Sequence, residues 1–397
     1  MSDSQSISVV HGDTKVLTME TLNPNVVKME YAVLGPIYIR GKPKPYDAIL
    51  KGNIVDCHAT GQTPITFVRQ VIALCTYPLL LEDPIIILKM LMTGKSGSEQ
   101  AGIMIPVPQY PLYSATLTEF NACPILYYLD EDNNWSLEVD ELSRALTAAK
   151  GKCIPRAICV INPGNPTGQV LSKENIENII RCAHKEGLMI LADEVYQHNV
   201  FAKGSQFSSF MSTSKGCMGE CGFRGSYCEM ANFQDDVQKC LLKSISAWLC
   251  PLVLGHIVMS ILTNPPQEGD PSYAKFQDEK SNVLSVLSEK ARLITDLFNS
   301  IEGISYNEVQ GAMYAFPRIY LPDKAIVAAR KLNQNPDFFY CSQVLEETGI
   351  CTVPGSGFGQ KEGTYHFRIT ILPPLEDIRR ILRLFKFFHL RFLNKYK

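Results

Sequence analysis

The sequence predicts an α/β fold with a mostly parallel central sheet. In the middle of the chain, apolar runs of strand length alternate with segments that have the apolar spacing of helices. Strand, helix and strand in this succession form right-handed crossovers, which place the strands parallel. A hydrophobic content of 46% and a charged content of 20% are those of an ordinary globular protein. At 397 residues the chain is long enough for two or three domains.

Three strands are predicted in order, at Ile103–Pro106, Ala157–Ile161 and Leu188–Ala192. A helix over Lys173–Glu186 joins the second strand to the third, and Ser172 is suited to cap it because its hydroxyl can accept from a free backbone N–H. The third strand is uniformly apolar, as is typical of a buried parallel strand. Ligands of α/β folds bind beyond the carboxyl ends of such strands, so the residues that follow them are site candidates.

A long amphipathic helix is predicted over residues 275–300, where apolar residues recur at helical spacing. Its apolar stripe is better explained as core than as a ligand site, and its length suits a connection between two domains. After Gly303 the pattern changes to short strand, loop and helix pieces. This change predicts a smaller C-terminal domain.

Composition argues against several classes of function. The net charge of −2 gives no support for a nucleic-acid or anionic-membrane partner. The thirteen cysteines are odd in number and unevenly spaced, and the Cys217/Cys221 pair has no nearby Cys/His partner pair, so neither disulfides nor a metal site are expected. The first residues show no secretory or clear mitochondrial signal, and the apolar runs are too short or too interrupted to span a bilayer. A cytoplasmic protein is therefore expected.

Three motifs follow one another along the chain. Asn162–Gly168 reads Asn-Pro-Gly-Asn-Pro-Thr-Gly, the third strand leads into Asp193-Glu-Val-Tyr196, and Ser212-Thr-Ser-Lys215 precedes a glycine-rich stretch that ends at Arg224. Each alone has a structural explanation, as a turn cluster, a strand end or a polar loop. Together they supply an amide, a carboxylate, a phenol, a lysine and an arginine. These groups can hold pyridoxal phosphate and make it reactive.

The combination resembles the fold-type I pyridoxal-phosphate aminotransferases, and within them the alanine aminotransferases. Further runs that carry the resemblance are Ile105–Ser114, Val309–Pro317 and Thr348–Pro374. It implies a large cofactor domain with a mostly parallel sheet and a small α+β domain built from both chain ends. The expected boundaries are 1–80 for the N-terminal part of the small domain and a linker, 81–299 for the large domain and 300–397 for the C-terminal part of the small domain.

The activity that the resemblance implies moves an amino group from L-alanine to 2-oxoglutarate, giving pyruvate and L-glutamate. Its partners would be amino acid and 2-oxo acid substrates and a second copy of the chain, since such enzymes are homodimers with active sites at the subunit boundary. Some members are mitochondrial, so the family leaves the compartment open.

Four residues match the family's positions around the cofactor ring and the reacting carbon. Lys215 would form a Schiff base with the cofactor and move the proton of the substrate Cα. Asp193 would pair with the ring nitrogen and keep it protonated. Asn165 and Tyr196 would bind the phenolic oxygen of the ring, and Asn165 would also contact the substrate. Lys215, Asp193 and Tyr196 are the expected catalytic residues.

Five further residues match binding positions. Tyr110 would stack on the ring face. Ser212 and Ser214 would donate to the cofactor phosphate, and Arg224 would add a charged contact to it. Arg368 would hold the substrate α-carboxylate through two parallel hydrogen bonds, for which a planar guanidinium is suited.

The chain departs from the family at Pro84–Ile85, where several tens of residues are missing. The missing part includes a turn and helix N-terminus whose N–H groups cradle the cofactor phosphate. A shorter gap between Phe210 and Met211 removes a helix and the strand leading to the lysine loop. Two functions remain open: an active aminotransferase, or a catalytically impaired relative that binds cofactor weakly and is a dimer partner or inactive. A carbon–sulfur or decarboxylating enzyme of the same fold is disfavoured by the alanine-type C-terminal runs.

Overall fold

The computed structural model describes residues 50–51, 85–210, 230–246 and 253–397. The strands are β1 Leu50–Lys51, β2 Ala101–Val107, β3 Cys123–Tyr128, β4 Ile154–Ile161, β5 Met189–Asp193, β6 Ile304–Ser305, β7 Tyr314–Ala315, β8 Arg318–Ile319, β9 Ile350–Cys351, β10 Val353–Pro354 and β11 Phe367–Thr370. The α-helices are α1 Ile85–Leu91, α2 Pro111–Glu119, α3 Val139–Ala149, α4 Lys173–Glu186, α5 Asp235–Ser246, α6 Val253–Thr263, α7 Tyr273–Asn299, α8 Asp323–Lys331, α9 Pro336–Thr348 and α10 Leu375–Tyr396. Short 3-10 turns lie at Gly97–Glu99 and Gly355–Phe358.

A four-stranded parallel sheet in the order β3-β2-β4-β5 forms the centre of the first half of the described chain. Successive side chains of a strand point to opposite faces, and both faces of this sheet are apolar. Met104, Ile158 and Val160 pack with α3 and α4 on one face. Ile103 and Ile105 pack with α1 and α2 on the other. The result is a three-layer α/β/α unit, which confirms the predicted fold class.

The predicted elements of this unit are present. Helix α4 has the predicted bounds, because the Ser172 hydroxyl accepts from the Asn175 N–H at 3.1 Å and Gly187 ends the helix in the left-handed conformation. Strand β5 is parallel, as predicted, but its side chains are half-buried, or exposed at Ala192, rather than buried. Since β5 is an edge strand of the described sheet, less of it is covered.

The C-terminal part packs around a second apolar core. Helix α7, which corresponds to the predicted long helix, lies against α10 and contributes Leu287, Ile294 and Phe298 to this core. Strands β10, β11 and β7 form an antiparallel sheet in that order, and β6 pairs antiparallel with β8. The antiparallel pairing distinguishes this region from the parallel central sheet.

Two-residue strand β1 pairs parallel with β9, with Leu50 opposite Ile350 and Lys51 opposite Cys351. An N-terminal segment therefore adds a strand to the C-terminal region. The domain boundaries at residues 80 and 299 stay predictions.

Candidate active site

The residues that follow β2, β4 and β5 converge at one edge of the central sheet, because parallel strands have their carboxyl ends on the same side. Tyr110 lies after β2 and immediately before α2, Asn165 lies in the loop after β4, and Asp193 is the last residue of β5. The loop that carries Tyr110 also contacts the C-terminal region, since the Gln109 N–H donates to the Phe358 carbonyl at 2.8 Å. Parts of the chain far apart in sequence thus meet at this edge.

Asp193 is bound by a phenol that the sequence did not single out. The Tyr113 hydroxyl donates to Asp193 Oδ2 at 2.8 Å, and the Val195 N–H donates to Oδ1 at 3.4 Å. Burial raises the pKa of the Asp193 carboxyl, although both hydrogen bonds act in the opposite direction. Burial and the neighbouring Asp193 together raise the pKa of the Tyr113 phenol. A cationic partner would therefore stabilise the charged form of the Asp193 carboxyl.

Asn165 and Arg368, the two predicted substrate contacts, touch each other. Arg368 Nη1 donates to Asn165 Oδ1 at 3.2 Å, and both side chains are buried. Arg368 lies in β11, opposite Val353 of β10. The amide from the first half of the chain thus meets the guanidinium from the C-terminal sheet.

Aromatic rings flank the guanidinium of Arg368. Its Cζ lies 4.4 Å from the ring centroid of Tyr314 and 4.7 Å from that of Phe358. Such cation–π contacts gain strength where water is excluded, and Arg368 is only 2% exposed. Tyr314 also reaches Tyr196, with 2.7 Å between the two hydroxyl oxygens. Tyr314 therefore connects two predicted site residues, Tyr196 and Arg368.

The same surroundings shift the pKa of the Tyr196 phenol. Burial is the main reason that its pKa is raised, and Tyr314 and Asp193 raise it further, whereas the Arg368 charge lowers it. Since the charges of both Asp193 and Arg368 affect Tyr196, these three side chains share one electrostatic environment.

The Asn-Pro-Gly-Asn-Pro-Thr-Gly loop is held by contacts at both ends. Asn162 Oδ1 accepts from the Leu171 N–H at 3.0 Å, while its Nδ2 donates to the Ser208 carbonyl at 3.1 Å. At the other end, the Gly168 carbonyl accepts from the N–H groups of Gln310 and Gly311, at 3.1 and 2.9 Å. The loop that presents Asn165 is thereby docked onto the run at Val309–Pro317.

The structure brings together Asn165, Asp193, Tyr196 and Arg368. Tyr110 is half-buried and packs against the apolar cluster on the α1/α2 face, and its place on a cofactor ring stays a prediction. The other predicted residues, Ser212, Ser214, Lys215 and Arg224, lie outside the described residues. Sequence reasoning did not single out Tyr113 and Tyr314, although both lie in the motif-bearing runs; their contacts span 80 and 118 positions.

The described residues fit the ring half of pyridoxal phosphate. A carboxyl whose pKa burial has raised is stabilised beside a pyridinium cation. A phenol in its electrostatic environment and a nearby buried amide can serve the phenolic oxygen of the ring. Among the described residues, no group of three or more His, Cys, Asp or Glu side chains is arranged to hold a metal ion.

Comparison with known proteins agrees with this geometry. A model of the family "Aminotransferase class I and II" matches residues 86–385. The chain belongs to the class I and II aminotransferase family. Aminotransferases of this family depend in general on pyridoxal phosphate. No helix in the described part of this aminotransferase is both long enough and apolar enough to cross a membrane.

Relatives with known names cover nearly the whole aminotransferase chain. "Alanine aminotransferase 2-like" of Danio rerio is 45% identical, over 96% of this chain and 87% of its own length. "Alanine aminotransferase 1" of Homo sapiens is 44% identical, over 99% of this chain and 98% of its own. These alignments run over 478 and 489 positions, more than the 397 residues of the chain, so the relatives have residues without a counterpart here. Where those gaps fall stays a prediction.

Solved structures share the fold of this aminotransferase. "Alanine aminotransferase from Pyrococcus furiosus" superposes with a TM-score of 0.72 at 19% identity, covering 93% of this chain and all of that one. An aminotransferase from Escherichia coli gives a TM-score of 0.68 at 20% identity, covering 94% of this chain and 98% of that one. At such low identities the likeness shows the fold alone, and it confirms the expected fold type.

Proposed function

We propose that this aminotransferase transfers the amino group of L-alanine to 2-oxoglutarate with pyridoxal phosphate as cofactor. The observation that carries the proposal is the Asn165–Arg368 contact, which sets a carboxylate-binding group in the same environment as Tyr196 and Asp193. The named relatives at 44–45% identity support alanine as the amino donor.

Three residues are proposed to hold the cofactor ring. When bound, pyridoxal phosphate supplies a ring that withdraws electrons from the substrate α-carbon. The Asp193 carboxylate holds the proton on the ring nitrogen, because a carboxyl whose pKa desolvation has raised gains most from a cation beside it. Tyr196 and Asn165 orient the ring through the hydroxyl and the amide.

Arg368 is proposed to bind the substrate carboxylate. Rings near the guanidinium restrict its plane, and a restricted guanidinium loses little further freedom when its N–H groups donate to a planar carboxylate. Burial removes competing water, so each charge-assisted hydrogen bond is strengthened. The carboxyl group common to amino acid and 2-oxo acid substrates is bound in this way.

Lys215 is proposed as the attachment point of the cofactor and as the group that moves the α-proton. Reduction with borohydride in the presence of pyridoxal phosphate, followed by peptide mapping, tests the assignment. The label is expected on the peptide that contains Lys215. A label on another lysine would refute this role.

A catalytically impaired relative is the second candidate, favoured by the missing phosphate turn inferred from the sequence. The near-complete coverage of the relatives, together with the site residues above, favours the active enzyme. We also propose that the protein acts as a homodimer, which sedimentation equilibrium would test.

The deciding experiment is a coupled pyruvate assay with purified protein and saturating pyridoxal phosphate. Pyruvate release that requires both L-alanine and 2-oxoglutarate is the expected result. Asp193→Ala should abolish it, while Asp236→Ala, a change on the exposed surface of α5, should leave it intact. Absence of turnover at saturating cofactor would support the impaired relative instead.

A further inference from the structure

A layer of side chains, buried except for its outer end, extends from the proposed carboxylate-binding arginine to an acidic loop of the first half of the chain. The members of this layer, called the arginine layer below, are Glu131, His366, Phe316, Phe358, Arg368 and Tyr314. We infer that Glu131 and His366 are positioning residues, which set the place of Arg368 and so the binding of substrate carboxylates. The inference rests on the role of Arg368 in the proposed function.

Glu131 joins two distant parts of the chain at the outer end of the layer. His366 Nε2 donates to Glu131 Oε1 at 3.0 Å, and Arg318 Nη1 lies 3.4 Å from Oε2. The Glu131 backbone carbonyl accepts from Asn307 Nδ2 at 2.7 Å. One glutamate after β3 thus holds three groups of the C-terminal region.

His366 passes this restraint to the strand that carries Arg368. Its ring stacks on Phe316 with 4.8 Å between centroids and 2° between planes. The His366 backbone N–H donates to Gln360 Oε1 at 3.1 Å. The same Gln360 oxygen lies 3.1 Å from Nδ1 of the His366 ring. In an extended backbone, the side chains of residues two positions apart point to the same face, so those of His366 and Arg368 belong to the same layer.

The inner half of the layer is closed by contacts between rings. Phe316 meets Phe358 edge to face, with centroids 5.7 Å apart, and Phe358 lies 4.7 Å from the Arg368 guanidinium. The aromatic members, His366 and Arg368 are all buried. Close-packed interiors transmit displacement because no free volume absorbs it. A shift of the His366 ring would therefore move the guanidinium.

The substitution Glu131→Ala separates positioning from simple packing. It leaves a buried ring N–H without its acceptor, so the ring is expected to move. The expected results are KM values for both L-alanine and 2-oxoglutarate raised by about 10- to 100-fold, since a small misplacement of a binding group has effects of this size. The turnover number at saturating substrates and the visible absorbance of bound cofactor should not change.

Binding of glutarate, a dicarboxylate that cannot transaminate, gives a readout without catalysis. Calorimetry should show a dissociation constant raised by the same factor in Glu131→Ala. Glu131→Gln keeps an acceptor oxygen and should restore most of the affinity. The matched control is Glu141→Ala, because Glu141 is also in an ion pair and its side chain is 19% exposed against 20% for Glu131. Glutarate affinity should stay unchanged in this control.

Phe316→Leu provides a second route if Glu131→Ala does not fold, since it removes the ring that links His366 to Phe358. It should weaken glutarate binding as well. Unchanged glutarate affinity in folded Glu131→Ala or Phe316→Leu would overturn the inference, as would a wild-type protein that binds no glutarate. If glutarate binding responds as expected while the wild type fails to use alanine, the positioning role stands and the proposed substrate falls.

Discussion

In the proposed function, the neighbours of Arg368 prepare its guanidinium for a substrate carboxylate. Tyr314 and Phe358 lie within 4.7 Å of the guanidinium, and Asn165 occupies one of its N–H groups. A lysine could keep the charge here, but an ammonium has neither a plane to stack nor two parallel donors. The chemistry of the site therefore depends on the shape of the cation as well as on its sign.

Arg368→Lys is expected to lower kcat/KM for L-alanine by roughly 100-fold, because a charge-assisted hydrogen bond contributes about 1.5–3 kcal/mol and each 1.4 kcal/mol is tenfold. Cofactor affinity should be nearly unchanged. Steady-state kinetics and a cofactor titration measure the two effects. Arg379→Lys, an exposed arginine paired with Glu376, is the control. Equal losses in both measurements would argue against a carboxylate-binding role.

Gly168 is required for two reasons at once. Its φ is +73°, and an added Cβ would lie 2.9 Å from Val309 Cγ1 and 3.0 Å from the Gly311 carbonyl. Gly187 has a similar φ of +67° but nothing within 4 Å of its added Cβ. A substitution at Gly187 therefore tests backbone strain alone, whereas one at Gly168 tests backbone strain together with crowding.

Gly187→Ala should cost about 1–2 kcal/mol of unfolding free energy from backbone strain alone. Gly168→Ala should cost about 1–3 kcal/mol more, because the added methyl group overpacks the contact between the loop and Val309. Denaturant melts of the two variants and the wild type measure the difference. Equal costs would show that the neighbours of Gly168 yield freely.

Among elements, the contact between α9 and α10 depends on a buried histidine. His389 Nδ1 accepts from the Tyr340 hydroxyl at 2.7 Å, and Nε2 donates to the Glu302 carbonyl at 2.9 Å. This arrangement uses the neutral ring, with one nitrogen protonated. Burial lowers the pKa of His389 to about 4, although the Glu302 contact acts in the opposite direction.

The pKa of His389 predicts a loss of stability in acid. His389 takes up a proton near pH 6.5 in the unfolded chain and only near pH 4 in the folded chain. Its neutral form therefore contributes fully to the free energy of unfolding above about pH 6.5. The contribution declines as the pH falls from about 6.5 toward 4, by on the order of 3 kcal/mol. Urea melts of His389→Gln should show less change over this interval than the wild type. His184→Gln, at an exposed histidine, should keep the wild-type slope.

Local sequence signals predict the helices and strands, whereas contacts between segments distant in the chain are visible only in the structure. Ser172 and Gly187 mark both ends of α4 in the sequence, because caps act within a few residues. The half-burial of β5 depends on its position at the edge of the sheet, which its apolar composition does not encode. Tyr113 is an ordinary helix residue until β5 brings Asp193 to its hydroxyl.

At the scale of the whole molecule, cofactor affinity is predicted to depend on segments that the relatives have and this chain lacks. The sequence predicts that the turn and helix N-terminus that cradle the phosphate are among them, at Pro84–Ile85. Such a helix end offers several N–H donors and a favourable dipole to a dianion. Arg224 with Ser212 and Ser214 would then carry most of the phosphate contact.

The dissociation constant for pyridoxal phosphate is therefore expected to exceed that of human alanine aminotransferase 1 by roughly two to six powers of ten. Two or three charge-assisted hydrogen bonds of about 1.5–3 kcal/mol each account for this range. Fluorescence titration of both proteins side by side measures it, and the pyruvate assay at saturating cofactor reports turnover separately. Submicromolar affinity in this chain would contradict the predicted gap.

The pairing of β1 with β9 has a consequence for the order in which the protein acquires its structure. Leu50 leaves the ribosome long before Ile350, so its backbone N–H and C=O groups cannot meet their partners until about 300 further residues have been synthesised. The parallel sheet of β2 to β5 needs only residues 101–193 and can assemble earlier. Closing a loop of this length is entropically costly and slow, so the β1–β9 ladder is expected to be among the last contacts acquired by the nascent chain.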